Sequence, residues 1–336
     1  MNQIIDIAAH PLSIGERVAL LKVRDLTLEF QTRSGVVHAL EDVSFELYKG
    51  ETLGLVGESG SGKSVLSYAI LRILDAAGRI TAGSIEFGGM DLLRARESDM
   101  QELRGRELAM IFQNPRVALN PIRAVGKQIE DVLKHHAPLR DQDLKSRAIA
   151  LLQQVRIADP ERRYHAYPFE MSGGQCQRVM IAIALACSPA LLIADEPTTG
   201  LDVTTQAAIM DLVQDLGRAR QMATLLITHD LGLAAQYCDR IVVMHAGHVV
   251  ESAPKREILR MPRHPYTAKL IGSIPHGAGT LRELTAIPGN LPDLRRGNLP
   301  PCRYRDRCER SLDLCDTRPL ARLDDGNHMV ACWNPQ

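Results

Sequence analysis

Eight consecutive residues constrain this chain more than any other feature. Gly57-Glu58-Ser59-Gly60-Ser61-Gly62-Lys63-Ser64 matches G-x-x-x-x-G-K-[ST] in full. An apolar run from Thr52 to Val56 precedes it, and an apolar-periodic stretch from Ser64 to Leu74 follows, so the octet sits between a strand and a helix. The glycines permit backbone conformations that aim several N–H groups at phosphate oxygens. The helix adds its positive end, Lys63 offers a compact cation to the β- and γ-phosphates, and Ser64 offers a hydroxyl to Mg²⁺. Gly57, Ser59, Gly60, Ser61, Gly62, Lys63 and Ser64 are therefore candidate residues for a nucleoside triphosphate.

Around the octet, short runs of alternating polarity at Leu20–Val23, Leu26–Phe30 and Ala39–Leu47 read as strands. Residues 115–190 read mainly as helix. Strand-like runs return at Leu191–Ala194, Thr224–Ile227 and Ile241–His245, alternating with helical patterns at Thr204–Arg220 and Leu231–Tyr237. Such alternation predicts an α/β fold whose parallel sheet is covered on both faces. Beyond about residue 255, proline and glycine multiply and periodicity fades, predicting an extension separate from the sheet.

The run Leu191-Leu192-Ile193-Ala194 ends in Asp195 and Glu196. Alone, an acidic strand end is usually just solvated. Beside a phosphate loop it places Asp195 in the metal shell and Glu196 where it polarises the attacking water as general base.

Lysine plus arginine and aspartate plus glutamate stand at 40 each, so no global field draws the chain to nucleic acid. No stretch approaches the roughly 20 apolar residues of a membrane span. Met1–Leu21 lacks the pattern of a secretory signal, which predicts residence in the cytoplasm.

Met171-Ser172-Gly173-Gly174-Gln175 opens a helical pattern shortly before the acidic strand. Ser172 fits a helix N-cap, and a helix N-terminus with two glycines is also an anion site. Coming after a phosphate loop, the segment resembles the signature motif of ABC ATPases, with Met171 where leucine is usual. Gln113, after a strand at Leu108–Phe112, is similar to the family's Q-loop glutamine, which touches the metal and senses the transmembrane partner. Thr199-Gly200-Leu201-Asp202 resembles the D-loop, and His229 the switch histidine that contacts the γ-phosphate. Phe30 stands where the family stacks an aromatic on adenine, and a core role suits it equally.

The resemblance covers residues 20–250 and implies a phosphate-loop cassette: a parallel-sheet core, an antiparallel β subdomain and a helical subdomain over about 114–186. It implies catalytic roles for Lys63, Gln113, Glu196 and His229, and a Mg²⁺ held by Ser64, Gln113 and Asp195. It further implies that two ATPase subunits pack head to tail, with Ser172, Gly173 and Gly174 of one chain closing over ATP held by Lys63 of the other, and it adds Gln175 and Asp202 to the nucleotide-binding candidates. The implied organisation is an N-terminal extension at 1–19, a cassette at 20–254 and a C-terminal extension at 255–336.

Asn120-Pro121, Tyr167-Pro168-Phe169-Glu170, Arg263-His264-Pro265-Tyr266-Thr267 and the segment from Pro288-Gly289 to Pro292 resemble the dipeptide, oligopeptide and nickel importer ATPases. That branch implies a non-identical second ATPase, two transmembrane permeases and an extracytoplasmic solute-binding protein, at the cytoplasmic face of a bacterial inner membrane. An exporter ATPase, or a soluble ABC ATPase acting on DNA or ribosomes, is the alternative. Cys302, Cys308, Cys315 and Cys332 follow C-x₅-C-x₆-C-x₁₆-C, a spacing that names no metal. In the resembling subunits such a set is associated with a four-iron four-sulfur cluster; zinc or free thiols are the other readings.

Overall fold

In the computed structural model, residues 18–137, 140–273 and 286–336 are described. The expected N-terminal extension therefore lies almost wholly outside the described residues.

The chain opens with a long hairpin of β1 (Ala19–Thr32) and β2 (Gly35–Tyr48). The two strands expected at Leu20–Val23 and Leu26–Phe30 are one strand, because a register irregularity at Asp25, whose φ is 47°, bends it without ending it. β3 (Thr52–Val56) then leads into the phosphate loop and the helix Lys63–Leu71. β4 (Gly78–Phe87) and β5 (Met90–Asp91) complete a four-stranded antiparallel sheet ordered β2-β1-β4-β5.

Among the described residues the larger sheet has eight strands. β6 (Leu108–Ile111), β7 (Leu191–Asp195), β8 (Ala223–Thr228), β3 and β9 (Arg240–His245) run parallel, in that order inward from the β6 edge. Alternate residues of its strands serve opposite cores. Leu192, Ala194 and Leu226 face the helices, whereas Leu191, Ile193, Leu225 and Ile227 face the antiparallel sheet and the helix Lys63–Leu71. Burial on both faces is why these runs are continuously apolar.

Between β6 and β7 the chain forms the helices Val125–His136, Asp141–Gln154, Pro160–Tyr164 and Gly173–Ala184.

The tail is not separate from the sheet. β10 (His248–Pro254) pairs antiparallel with β9, and the chain returns after residue 320 to add β12 (Met329–Ala331) and β11 (Arg322–Asp324) at that edge. A buried carboxylate pins the return: Glu251 on β10 accepts from the backbone N–H groups of Arg263 (2.6 Å) and His264 (3.0 Å), and its other neighbour is His328 Nε2 at 2.7 Å. Leaving such a carboxylate unpartnered costs about 3–5 kcal/mol.

Candidate active site

The phosphate loop takes its shape from glycines that no other residue can replace at two points. A Cβ on Gly57, with φ 156°, would stand 2.1 Å from the Met244 carbonyl; on Gly62, with φ 100°, it would stand 2.9 Å from that of Ala39. The buried Lys63 ammonium donates to the carbonyls of Gly57 (2.7 Å) and Glu58 (2.9 Å), within reach of Ser61 Oγ. Burial lowers its pKa, opposed by the charges of Glu196, Asp195 and Glu58.

β7 delivers the two acids. Asp195 Oδ1 accepts from the Ser64 hydroxyl at 3.1 Å. Burial raises the Asp195 pKa, with Glu196 beside it adding to the rise, while Ser64 and Lys63 act the other way. A desolvated carboxylate next to a hydroxyl, beside a loop shaped for phosphates, is a donor set of hard oxygens that fits Mg²⁺.

Glu196 sits in a left-handed conformation, φ 46°, with its N–H on the Ile227 carbonyl at 2.9 Å. That turn aims its carboxylate into the cleft. Oε2 accepts from Gln113 Nε2 (2.8 Å) and Thr199 Oγ1 (2.9 Å), and Oε1 lies 3.0 Å from His229 Nδ1. Burial alone would raise the Glu196 pKa; the hydrogen bonds from His229 and Thr199 and the charge of Lys63 carry it below the ordinary carboxylate value. The carboxylate is ionised, and three partners fix its direction.

Two adjoining cavities surround this centre. The larger, ≈ 850 Å³, is lined by Glu58, Ser59, Gln113, Glu196, Thr199 and His229 on one side and by the tail residues Ile287, Gly289, Asn290 and Leu291 on the other. The smaller, ≈ 300 Å³, runs from Gly60, Gly62, Lys63 and Ser64 to Phe30, Val37 and Leu294. Phe30 thus stands on the wall of the phosphate-loop cavity, not wholly in the core. Glu58, Thr199, Leu291 and Leu294 were not singled out from the sequence. Glu58, Thr199 and Leu291 lie inside recognisable motifs, whereas Leu294 carries no signal of its own.

The remaining candidates lie elsewhere. Ser172 caps the helix Gly173–Ala184 reciprocally with Gln175, at 3.3 and 3.0 Å. Asp202 caps Val203–Arg220 through Thr205 at 2.9 Å. Neither Ser172–Gln175 nor Asp202 lines either cavity.

In the tail, Cys302, Cys315 and Cys332 are buried and Cys308 is half-buried. Cys302 N–H donates to the Cys315 carbonyl at 3.1 Å, and Asn334 N–H donates to Cys332 Sγ at 3.3 Å. Burial pushes the Cys302 thiol up to about 12, and the neighbouring thiols add to the rise. Among the described residues, however, no three His, Cys, Asp or Glu side chains are grouped to hold a metal ion.

A glycine-lined anion loop, a hydroxyl–carboxylate pair and an oriented carboxylate at the strand end define a nucleoside-triphosphate hydrolase cassette. Comparison with known proteins gives the family. The ABC transporter model matches residues 40–199, and the model for the oligopeptide/dipeptide transporter C-terminal region matches 250–315. The chain is 44% identical over 320 residues to the probable D,D-dipeptide transport ATP-binding protein DdpD of Escherichia coli, spanning 94% of this chain and 97% of that protein. It is 46% identical over 321 residues to the oligopeptide transport ATP-binding protein OppD of Bacillus subtilis, spanning 94% and 88%. A solved dimeric ATP-binding cassette in a post-hydrolysis state with ADP and Pi superposes with a TM-score of 0.64 at 26% identity, covering 70% of this chain and 99% of that one. The chain belongs to the ATP-binding subunits of ABC transporters and is an ATPase of that family.

Proposed function

We propose that this chain powers an ABC importer of dipeptides, oligopeptides or a related solute, from the cytoplasmic face of a bacterial inner membrane. One observation carries the reading: similarity to a dipeptide-transport ATP-binding protein runs over 94% of the chain, tail included, rather than over the cassette alone. Its partners in this reading are a second, non-identical ATPase, two transmembrane permeases and an extracytoplasmic solute-binding protein, with no nucleic acid. Val117, Ile122 and Phe169 support a docked permease. They are 81%, 86% and 75% exposed on the stretch between Gln113 and the signature, where a lone soluble cassette has no use for them. Among the described residues no helix is long and apolar enough to cross a membrane, so the permeases would supply the pore.

In hydrolysis, the loop N–H groups and Lys63 would hold the β- and γ-phosphates, and Ser64, Gln113 and Asp195 would hold the Mg²⁺. Bound there, Mg²⁺ would supply charge neutralisation for the triphosphate. Glu196, ionised and held by Gln113, Thr199 and His229, accepts a proton from the attacking water. His229 also contacts the γ-phosphate, Phe30 stacks on adenine, and Ser172, Gly173, Gly174 and Gln175, with Asp202 nearby, close over ATP bound by the partner chain.

For the tail we assign a four-iron four-sulfur cluster to Cys302, Cys308, Cys315 and Cys332. The donor chemistry supports this: four soft ligands in one short segment, with backbone N–H groups of Tyr304, Arg310 and Asn334 near three of the sulfurs. The cluster would knit together a segment with little core of its own, and no step of ATP hydrolysis passes through it.

The whole reading is tested by expressing the chain with the permease genes adjacent to its own and purifying the membrane fraction anaerobically. Recovery of one complex, with peptide-stimulated ATPase activity in the presence of the binding protein, is expected, together with iron and sulfide. A chain that never joins a permease refutes the importer. A colourless complex with stoichiometric zinc refutes only the cluster.

A further inference from the structure

Glu58, the second residue of the phosphate loop, is gripped on every polar side. Its N–H donates to the buried Tyr266 hydroxyl at 3.0 Å, and its carbonyl accepts from Lys63 Nζ at 2.9 Å. Its carboxylate accepts a two-pronged pair from Arg307 at 2.7 and 2.9 Å. Tyr266 and Arg307 both lie in the C-terminal region, within the stretch 250–315 matched apart from the cassette.

Arg307 is only 6% exposed, an uncommon place for a guanidinium. Besides Glu58, its Nε donates to the Pro288 carbonyl at 2.6 Å, and its stem lies against Gly289, where an added Cβ would stand 3.4 Å from Arg307 Cγ. The residues that follow Pro288 form the far wall of the nucleotide cleft, and Leu291 reaches back so closely that a Cβ on Gly60 would meet its Cδ1 at 3.3 Å. One side chain therefore fixes both the loop and the wall facing it.

The chemistry gives that arrangement a purpose. Glu58 lines the cleft that receives a polyanion, and an unpaired carboxylate there would repel the triphosphate. A fork held on both oxygens cancels that charge and keeps the carboxylate turned aside. We infer that Arg307 is a positioning residue for nucleotide binding: by pairing with Glu58 it sets the entry turn of the phosphate loop, neutralises a carboxylate facing ATP, and makes the C-terminal region part of the ATP site.

The test measures Mg·ATP affinity of the full chain by equilibrium dialysis, with wild type and Lys63→Ala as bounds. Arg307→Gln is expected to weaken binding at least about tenfold, as loss of one member of a buried charged pair does. Adding Glu58→Gln to it should bring affinity back to within about threefold of wild type, since no stranded carboxylate remains. In the assembled transporter the effect should fall on KM for ATP, with kcat changed less than about twofold. Wild-type affinity in Arg307→Gln, or a double variant as weak as the single one, overturns the inference. Should Arg307→Gln fail to fold, Arg307→Lys carries the test, because a single ammonium cannot make the fork. A loss of at least about threefold with an unchanged melting midpoint supports the proposal, and wild-type affinity refutes it. If wild type itself bound no Mg·ATP, the ATPase reading would fail rather than this one.

Discussion

At the residue scale, the site turns on how Glu196 is held. A non-glycine residue at φ 46° is costly, and it persists because β7 and β8 fix its N–H while Gln113, Thr199 and His229 fix its carboxylate. Strain and hydrogen bonds together aim one oxygen pair at the cleft, which is what a general base needs. Glu196→Gln keeps the shape and one accepting oxygen, turns the other into a donating NH₂, and removes the carboxylate proposed as proton acceptor. Phosphate release should fall about 10²–10⁴-fold, while Mg·ATP binding survives and the nucleotide-bound assembly accumulates on gel filtration. Normal turnover would remove Glu196 from the mechanism. Most of this centre was legible in the sequence, because phosphate chemistry imposes short contiguous motifs: Lys63, Ser64, Asp195 and Glu196 stand in two of them. Arg307 and Tyr266 were not legible as site residues. They reach Glu58 across 249 and 208 residues of chain, and an arginine between two cysteines carries no local pattern of its own.

At the scale of elements, the parallel strands were readable from their apolar runs, but the antiparallel additions were not. β4 and β5 join through Gly88 and Gly89, both at positive φ, the two-residue turn that hairpin twist favours. That Gly-Gly pair was the available signal. β10, β11 and β12 are short and half polar, and their pairing is set by contacts such as Glu251–His328 and by a tail residue, Arg303, inserted near the β9–β10 turn. The buried Arg303 donates to the carbonyls of Ala246 (2.6 Å) and His38 (3.2 Å) and pairs with Glu41 on β2, so it ties the tail to both sheets. The hydrogen bond from His248 lowers the Glu41 pKa to about 2 against its own partial burial, and Arg303 assists. A carboxyl depressed on folding gives stability that is present above its ordinary pKa near 4.5 and lost as pH falls toward 2. Denaturant titrations of Glu41→Gln should therefore show a deficit at pH 7 that shrinks steadily below pH 4.5 and vanishes near pH 2. A deficit of constant size across that range would mean that packing, not charge, makes this contact matter.

At the scale of the whole molecule, the placement of the signature decides how many chains the reaction needs. Ser172 and Gln175 satisfy each other at the start of Gly173–Ala184, a reciprocal cap worth about 1 kcal/mol to the helix, and space is open around Gly173. None of these residues lines the cavities at this chain's own phosphate loop, and on the proposed reading the remaining N–H groups of that helix end are an anion site for a partner's nucleotide. On the proposed reading Lys63 and Ser172 serve different nucleotides: the first grips ATP on this chain, and the second completes ATP on a neighbour. Ser172→Glu separates the two duties. A carboxylate at that N-terminus suits the helix dipole, so the fold is kept, but it opposes the phosphate the cap must receive. The isolated chain should bind Mg·ATP within about twofold of wild type. In the two-ATPase assembly, ATP-driven closure and turnover should drop at least about a hundredfold, because the cap's donors act on charge that develops in the transition state. The measurement pairs equilibrium dialysis on the single chain with phosphate release from the reconstituted complex. If Ser172→Glu weakened nucleotide binding by the single chain, the cap would be acting on its own loop, and one subunit would hold a complete site.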